Sequence, residues 1–317
     1  MNSENEQLSN RRSLKLGSLV SSVSTEYVLN RRLGEGSFGV VWKAGVLTGE
    51  MRGSSVALKL INYNKSEESK ILREMQVGLN AHSVAKNWTP EIYEVFVFNN
   101  VLVIAMEFID GFTLQQLVKW RPLGEIPVAY IIREVLSALT AFRKNKLVHR
   151  DIKGANVMIS KSGRVYLCDF GVSRIFDFSV ARTFVGTVLF MAPEMAKTFL
   201  QQQHDIPGCG YNHKVDVWAL GITTLEALYG EPPRAQSSAT TDVFLSNVLR
   251  SSAPSLDRTR FSIDCRKFVS CCLEHNPDKR IDPENLLNHS FMNFSDVSAR
   301  KAEIVKYVQL YQQSTNH

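Results

Sequence analysis

The chain has 317 residues, 44% hydrophobic and 21% charged, with 37 Lys and Arg against 31 Asp and Glu, a net charge of +6. A chain of this size and composition buries a substantial core, which excludes a disordered segment, a membrane bundle and a disulfide-stapled miniprotein. The positive charge is modest and clusters on no single predicted element, so a nucleic-acid partner is not expected.

In chain order, residues 1–26 are expected to form a flexible N-terminal arm. The stretch from Met1 to Ser24 is polar and rich in Ser and Asn. It lacks the apolar stretch of a signal peptide and the apolar content to offset the entropy of ordering. Regular patterning begins at Tyr27. Short β-rich runs follow at 27–33, 40–46, 56–61, 92–98 and 101–107, interrupted by one helical pattern over 66–79. After Gly111 the character turns helical. The stretch 127–144 places Ile131, Val135, Ala138 and Phe142 on one face, and 215–229 is apolar all round, as in a helix through the middle of a lobe. A β-rich part followed by a larger helical part predicts an α+β fold of two lobes with a cleft between them. Beyond Phe291, the spacing of Ile304, Val308 and Tyr311 predicts a last amphipathic helix, read as packing on the large lobe rather than docking a partner. No run approaches the roughly 18 apolar residues of a membrane span. The five cysteines are odd in number and irregularly spaced, which favours a reducing, cytoplasmic address.

Three groups of residues carry chemistry. The first is Gly34-Glu35-Gly36-Ser37-Phe38-Gly39-Val40-Val41, whose glycines allow a hairpin backbone to approach phosphate closely. Its flanks read as strands, whereas a dinucleotide-binding fold places a helix directly after the glycines. The second is Lys59, ending the apolar run Val56-Ala57-Leu58. A lysine there is costly to bury without an anionic partner. ATP phosphates and a carboxylate of the following helix would serve; Glu74 is the choice, with Glu67 and Glu68 as alternatives that spacing does not separate. The third is His149-Arg150-Asp151-Ile152-Lys153-Gly154-Ala155-Asn156, followed by Asp169-Phe170-Gly171. Phosphoryl transfer asks a protein for positioning, metal and charge neutralisation. Asp151 suits holding the attacking hydroxyl, Lys153 suits neutralising the moving phosphoryl group, and Asn156 with Asp169 suits Mg2+, Mn2+ being the alternative ion.

These motifs, with Ala192-Pro193-Glu194, stand in the order of the eukaryotic protein kinases, which the chain resembles over residues 27–292. The resemblance implies an N-lobe over 27–107, a hinge over 107–112, a C-lobe over 113–292 and a helical extension over 293–317. It implies that Leu33, the glycine loop, Val41 and Ala57 cover the nucleotide, that Met106 controls access behind the adenine, and that the backbones of Glu107 and Ile109 bond the base, with Thr113 near the ribose. It also pairs Glu194 with Arg280 and assigns Asp216 to hold the catalytic loop.

Lys153 after Asp151, and Thr187 placed to bond both, are the Ser/Thr form. The run from His149 to Asn156, with Thr183-Phe184-Val185-Gly186-Thr187, is similar to the sterile-twenty group and particularly its germinal-centre branch. The resemblance therefore implies a signalling kinase upstream in a MAP-kinase or stress cascade, acting on proteins. A phosphate on Thr183, added by an upstream kinase or by autophosphorylation in trans, is expected to switch it on. Two departures stand out. Val188-Leu189-Phe190 replaces the usual Pro and aromatic pair, and Gly78 takes the place of a bulky residue one turn past Glu74, so that either Leu79 substitutes for it or the helix is poorly anchored in the inactive state. A kinase-shaped scaffold without activity would have lost Lys59, Asp151, Asn156 or Asp169, and all four are present. No Gly-x-x-x-x-Gly-Lys-Ser/Thr loop points to another nucleotide fold.

Overall fold

The computed structural model describes residues 14–36, 39–62, 68–169, 185–201, 212–233 and 240–315. The chain divides into two compact units, Met1–Lys86 with Pro90–Ile109, and Asn87–Thr89 with Asp110–His317.

The first unit contains β1 (Leu19–Ser21), β2 (Glu26–Gly36), β3 (Gly39–Val46), β4 (Ser55–Asn62), α1 (Glu68–Val84), β5 (Ile92–Phe98) and β6 (Val101–Glu107). Its strands form one antiparallel sheet in the order β1-β2-β3-β4-β6-β5. Alternation builds the core face, with Val56, Leu58 and Leu60 of β4 meeting Val40, Trp42 and Ala44 of β3 in one apolar cluster. β5 and β6 coincide with the predicted runs because the turn between them is sharply specified. Asn99 and Asn100 both adopt left-handed backbone (φ 48° and 61°), as a two-residue hairpin requires.

The expected arm over 1–26 needs correction at its end. Leu19 pairs with Val28, Val20 with Tyr27 and Ser21 with Glu26, and Val20 is fully buried in the core cluster. One buried side chain in a three-residue strand gives no periodic signal, so the sequence hid it. α1 is described from Glu68, the predicted start at 66 lying outside the described residues, and it runs five residues beyond the predicted end. Within it Gly78 is buried and Leu79, offered as its apolar substitute, is 44% exposed.

The second unit contains β7 (Gly111–Thr113), α2 (Leu114–Trp120), α3 (Glu125–Lys144), β8 (Val157–Ser160), β9 (Val165–Leu167), α4 (Val185–Val188), α5 (Pro193–Leu200), α6 (Lys214–Tyr229), α7 (Thr241–Arg250), α8 (Ile263–Cys272), α9 (Pro283–Leu287) and α10 (Val297–Thr315). α3 begins two residues before the predicted start, with Pro127 in its first turn, where a missing N–H leaves no bond unmade. α6 is buried at every position from 215 to 228 and ends on Gly230 in the left-handed region (φ 94°). α10 buries Ile304 and Val308, and Tyr311 meets the edges of Phe112 (4.8 Å) and Trp120 (5.7 Å), as the packing reading expects. Among the described residues, no helix is long and apolar enough to cross a membrane.

Candidate active site

The segment from His149 to Asn156 leaves α3 and leads into β8, and α6 holds its start. Asp216, in the first turn of α6, accepts hydrogen bonds from the backbone N–H groups of His149 and Arg150, each at 2.7 Å. Arg150 stands in the left-handed region (φ 70°), a conformation costly for a side-chain-bearing residue and sustained by such anchoring. Burial raises the Asp216 carboxyl to about 6 although both N–H groups favour its charge.

His149 is buried and its pKa falls to about 4, chiefly through burial, so at neutral pH the ring is uncharged. Its Nδ1 accepts from the Asp151 N–H at 3.2 Å, which leaves the proton on Nε2, 3.1 Å from the Cys168 carbonyl oxygen. The imidazole thereby ties the segment to the end of β9.

Four predicted residues meet here. Lys153 Nζ lies 2.9 Å from Asp151 Oδ2 and donates to Thr187 Oγ1 at 3.0 Å. Asn156 Nδ2 donates to Asp151 Oδ2 and to its carbonyl oxygen, both at 2.8 Å. Asp151 is 5% exposed, and while Oδ2 has two partners, its Oδ1 is buried with none among the described residues. An acceptor left open in this way is costly without a ligand and suits a substrate hydroxyl. The Cys168 N–H donates to the Asn156 carbonyl oxygen at 2.8 Å, so Asp169 follows one residue after a bond to Asn156. Asp169, too, has left-handed backbone (φ 64°).

Asn156 and Asp169 offer an amide oxygen and a carboxylate. Among the described residues, no group of three or more His, Cys, Asp or Glu gathers as a metal cage would require. A pair of hard oxygen donors fits a cation that takes its remaining ligands from phosphate and water, which is the habit of Mg2+.

Arg280 and Glu194 pair as expected. Arg280 is 1% exposed; Nη1 and Nη2 reach Glu194 at 2.7 and 3.0 Å, and Nε donates to the Glu274 carbonyl oxygen at 2.8 Å. Its guanidinium also lies over the Trp218 ring of α6, 5.2 Å from the centroid.

The first unit carries the residues assigned to the nucleotide. Lys59 is 3% exposed on β4, opposite Ile104 of β6 and Val41 of β3. Ala57 is buried opposite Met106, and Ile109 is buried beyond the strand. The Glu107 N–H bonds the Glu91 carbonyl oxygen at 2.8 Å. Leu33, Gly34 and Glu35 are exposed, and Glu35 pairs with Arg32. Gly39 has a local reason to be glycine: with φ 147°, a Cβ there would run into the Leu60 carbonyl oxygen of β4. Thr113, in the second unit, has local work as well, its hydroxyl capping α2 by accepting from the Gln116 N–H at 3.1 Å. Ser37, Phe38 and Thr183 lie outside the described residues, as do the side chain of Glu74 and the burial of Gly36.

Glu226 is a residue the sequence reading missed. It is 1% exposed on α6 and its Oε2 accepts from the Gly154 N–H at 2.9 Å. The signal was present, since an acid inside a helix that is apolar all round needs a buried partner.

A family model described as "Protein kinase domain" matches residues 27–292. Serine/threonine-protein kinase sid1 of Schizosaccharomyces pombe is 38% identical over 272 residues, covering 85% of this chain and 54% of that protein. Serine/threonine-protein kinase ppk11 of the same organism is 35% identical over 266 residues, covering 82% and 79%. Mitogen-activated protein kinase kinase kinase kinase 3 of Rattus norvegicus is 32% identical over 301 residues, covering 92% and 32%. The chain spans about half, or less, of the length of most of the curated relatives it matches.

Proposed function

Because this chain belongs to the protein kinase family, we propose that it transfers the γ-phosphoryl group of ATP to Ser and Thr hydroxyls of other proteins. The observation that carries the reading is the buried Asp151 carboxylate, with Oδ2 held by Lys153 and Asn156 and Oδ1 without a partner among the described residues. Asp151 accepts the substrate hydroxyl at Oδ1 and orients its oxygen toward phosphorus. Lys153, held by Asp151 and Thr187, meets the charge on the transferring phosphoryl oxygens. Lys59 supplies a fixed positive charge to the phosphates from β4. Asn156 and Asp169 would hold the divalent cation, Mg2+ in this reading, which would supply screening of the phosphate charge.

The backbones of Glu107 and Ile109 serve the adenine and Met106 limits the space behind it. Phosphorylation of Thr183 raises activity by adding charge and acceptors near the catalytic segment. The kinship with a kinase named for a MAP-kinase cascade supports a place upstream in such a cascade, and a cytoplasmic address follows from that role.

The experiment is a transfer assay with labelled ATP, Mg2+ and a generic basic protein, followed by analysis of the labelled amino acids. Asp151→Asn is expected to lower kcat by about 10²–10⁴-fold, with label on Ser and Thr in the wild type. Equal incorporation by both proteins would remove Asp151 from its role, and label on Tyr alone would overturn the Ser/Thr reading. Thr183→Ala should match phosphatase-treated wild type; full activity in that variant would end the switch idea.

A further inference from the structure

Two carboxylates of one helix reach the catalytic segment. Asp216 takes its start, through the N–H groups of His149 and Arg150. Glu226 is ten residues further along α6, about 15 Å at a helical rise, and takes the N–H of Gly154 at 2.9 Å. Asp151 and Lys153 lie between the two anchors. The fit at the second is close: a Cβ on Gly154 would stand 2.5 Å from Glu226 Oε2 and 2.8 Å from its carboxyl carbon. A residue other than glycine there would displace the carboxylate, so the two positions depend on each other.

We propose that Glu226 is a positioning residue for phosphoryl transfer: by fixing the Gly154 amide it completes, with Asp216, a two-point clamp that holds Asp151 and Lys153 in register. The proposal rests on the kinase reading for its catalytic consequence, while the clamp itself is a statement about the fold.

The charged environment makes the clamp responsive to pH. Glu226 faces Lys119 of α2 and Lys153 of the catalytic segment, and Gln115 of α2 bonds its side chain. Burial outweighs these and lifts its carboxyl to about 7. The ionised carboxylate is the stronger acceptor for the Gly154 N–H and the better partner for Lys153. The grip therefore tightens as pH rises through neutrality.

The test uses the full chain and two variants, Glu226→Gln and Glu226→Leu, with kcat and the KM for ATP measured from pH 6 to 8, and amide hydrogen exchange at Gly154 and Arg150. In the wild type kcat should rise across this range with a midpoint near 7; Glu226→Gln, which keeps an acceptor but cannot ionise, should lose that limb. Glu226→Leu should lower kcat about tenfold with KM for ATP within twofold, the loss expected of one hydrogen bond. Gly154 should lose exchange protection in Glu226→Leu while Arg150, held by Asp216, keeps it. An unchanged Gly154 amide or wild-type kcat in Glu226→Leu overturns the proposal, and so does an unchanged pH limb in Glu226→Gln. If Glu226→Leu does not fold, the Gln pH profile decides. A wild type that transfers no phosphoryl group refutes the kinase reading, and Gly154 exchange then still judges the clamp.

Discussion

Thr187 shows how one side chain can matter through another. Its hydroxyl is the second partner of Lys153, whose first is Asp151 Oδ2. Removing it takes one hydrogen bond from the ammonium and gives it more rotamer freedom. Thr187→Val, of nearly the same shape, is expected to lower kcat roughly tenfold with little change in melting temperature, while Thr187→Ser keeps activity within a few-fold. Steady-state kinetics beside a thermal melt checks this, and an unaffected kcat in the valine variant would leave the Lys153–Thr187 bond without catalytic meaning. That Asp151, Lys153 and Asn156 meet was legible from their spacing, because the phosphoryl transfer proposed here needs such groups together. That Asp151 Oδ1 lacks a partner among the described residues was not, since which oxygen finds partners depends on distances that only the fold sets.

At the scale of elements, the Glu194–Arg280 pair ties the start of α5 to the chain ahead of α9. Arg280 has no exposed side-chain area whereas Glu194 keeps 21%. Glu194→Ala would strand a buried guanidinium and is expected to cost about 3 kcal/mol, read as a lowered urea midpoint at unchanged slope. A loss under about 1 kcal/mol would mean that the carbonyl oxygens of Glu274 and Lys214 satisfy Arg280 alone. α10 offers a parallel case. Val308 is fully buried, so Val308→Ala should cost about 2 kcal/mol if the helix belongs to the folded unit. A neutral result would favour a docking helix instead. The sequence read β5 and β6 to the residue because a two-Asn turn punctuates them, and it ended α1 five residues early, where no glycine marks the boundary.

For the whole molecule, three buried ionisable groups set opposing pH trends. Glu226 and Asp216 are raised to about 7 and about 6, from 4.5 and 3.8. For raised acids the folded state binds the proton more tightly, so their contribution to stability is full below pH 4 and is lost as pH climbs through those values. His149, lowered from 6.5 to about 4, acts the other way: its contribution is present above 6.5 and lost as pH falls through 4. Stability limited by Glu226 should therefore fall from pH 5 to 8 by about 2–3 kcal/mol. Glu226→Gln should flatten that decline in urea unfolding at pH 5, 6, 7 and 8, and an unaltered slope would show that the carboxyl does not titrate in this range.

The sequence by itself determined the family: a β-rich part, a helical part, and motifs in the kinase order that carry Lys59, Asp151, Asn156 and Asp169. Local rules suffice for that, because side-chain period, turn residues and the ligand needs of phosphate are written in neighbouring positions. Tertiary structure decided that Val20 joins the sheet, that Gly39 answers to the Leu60 carbonyl and that Glu226 grips Gly154. Two of these are contacts between residues tens of positions apart and the first is a single buried side chain in a short strand, and none leaves a periodic trace; only folding brings such partners within a few ångströms, where burial and hydrogen bonding assign them a role.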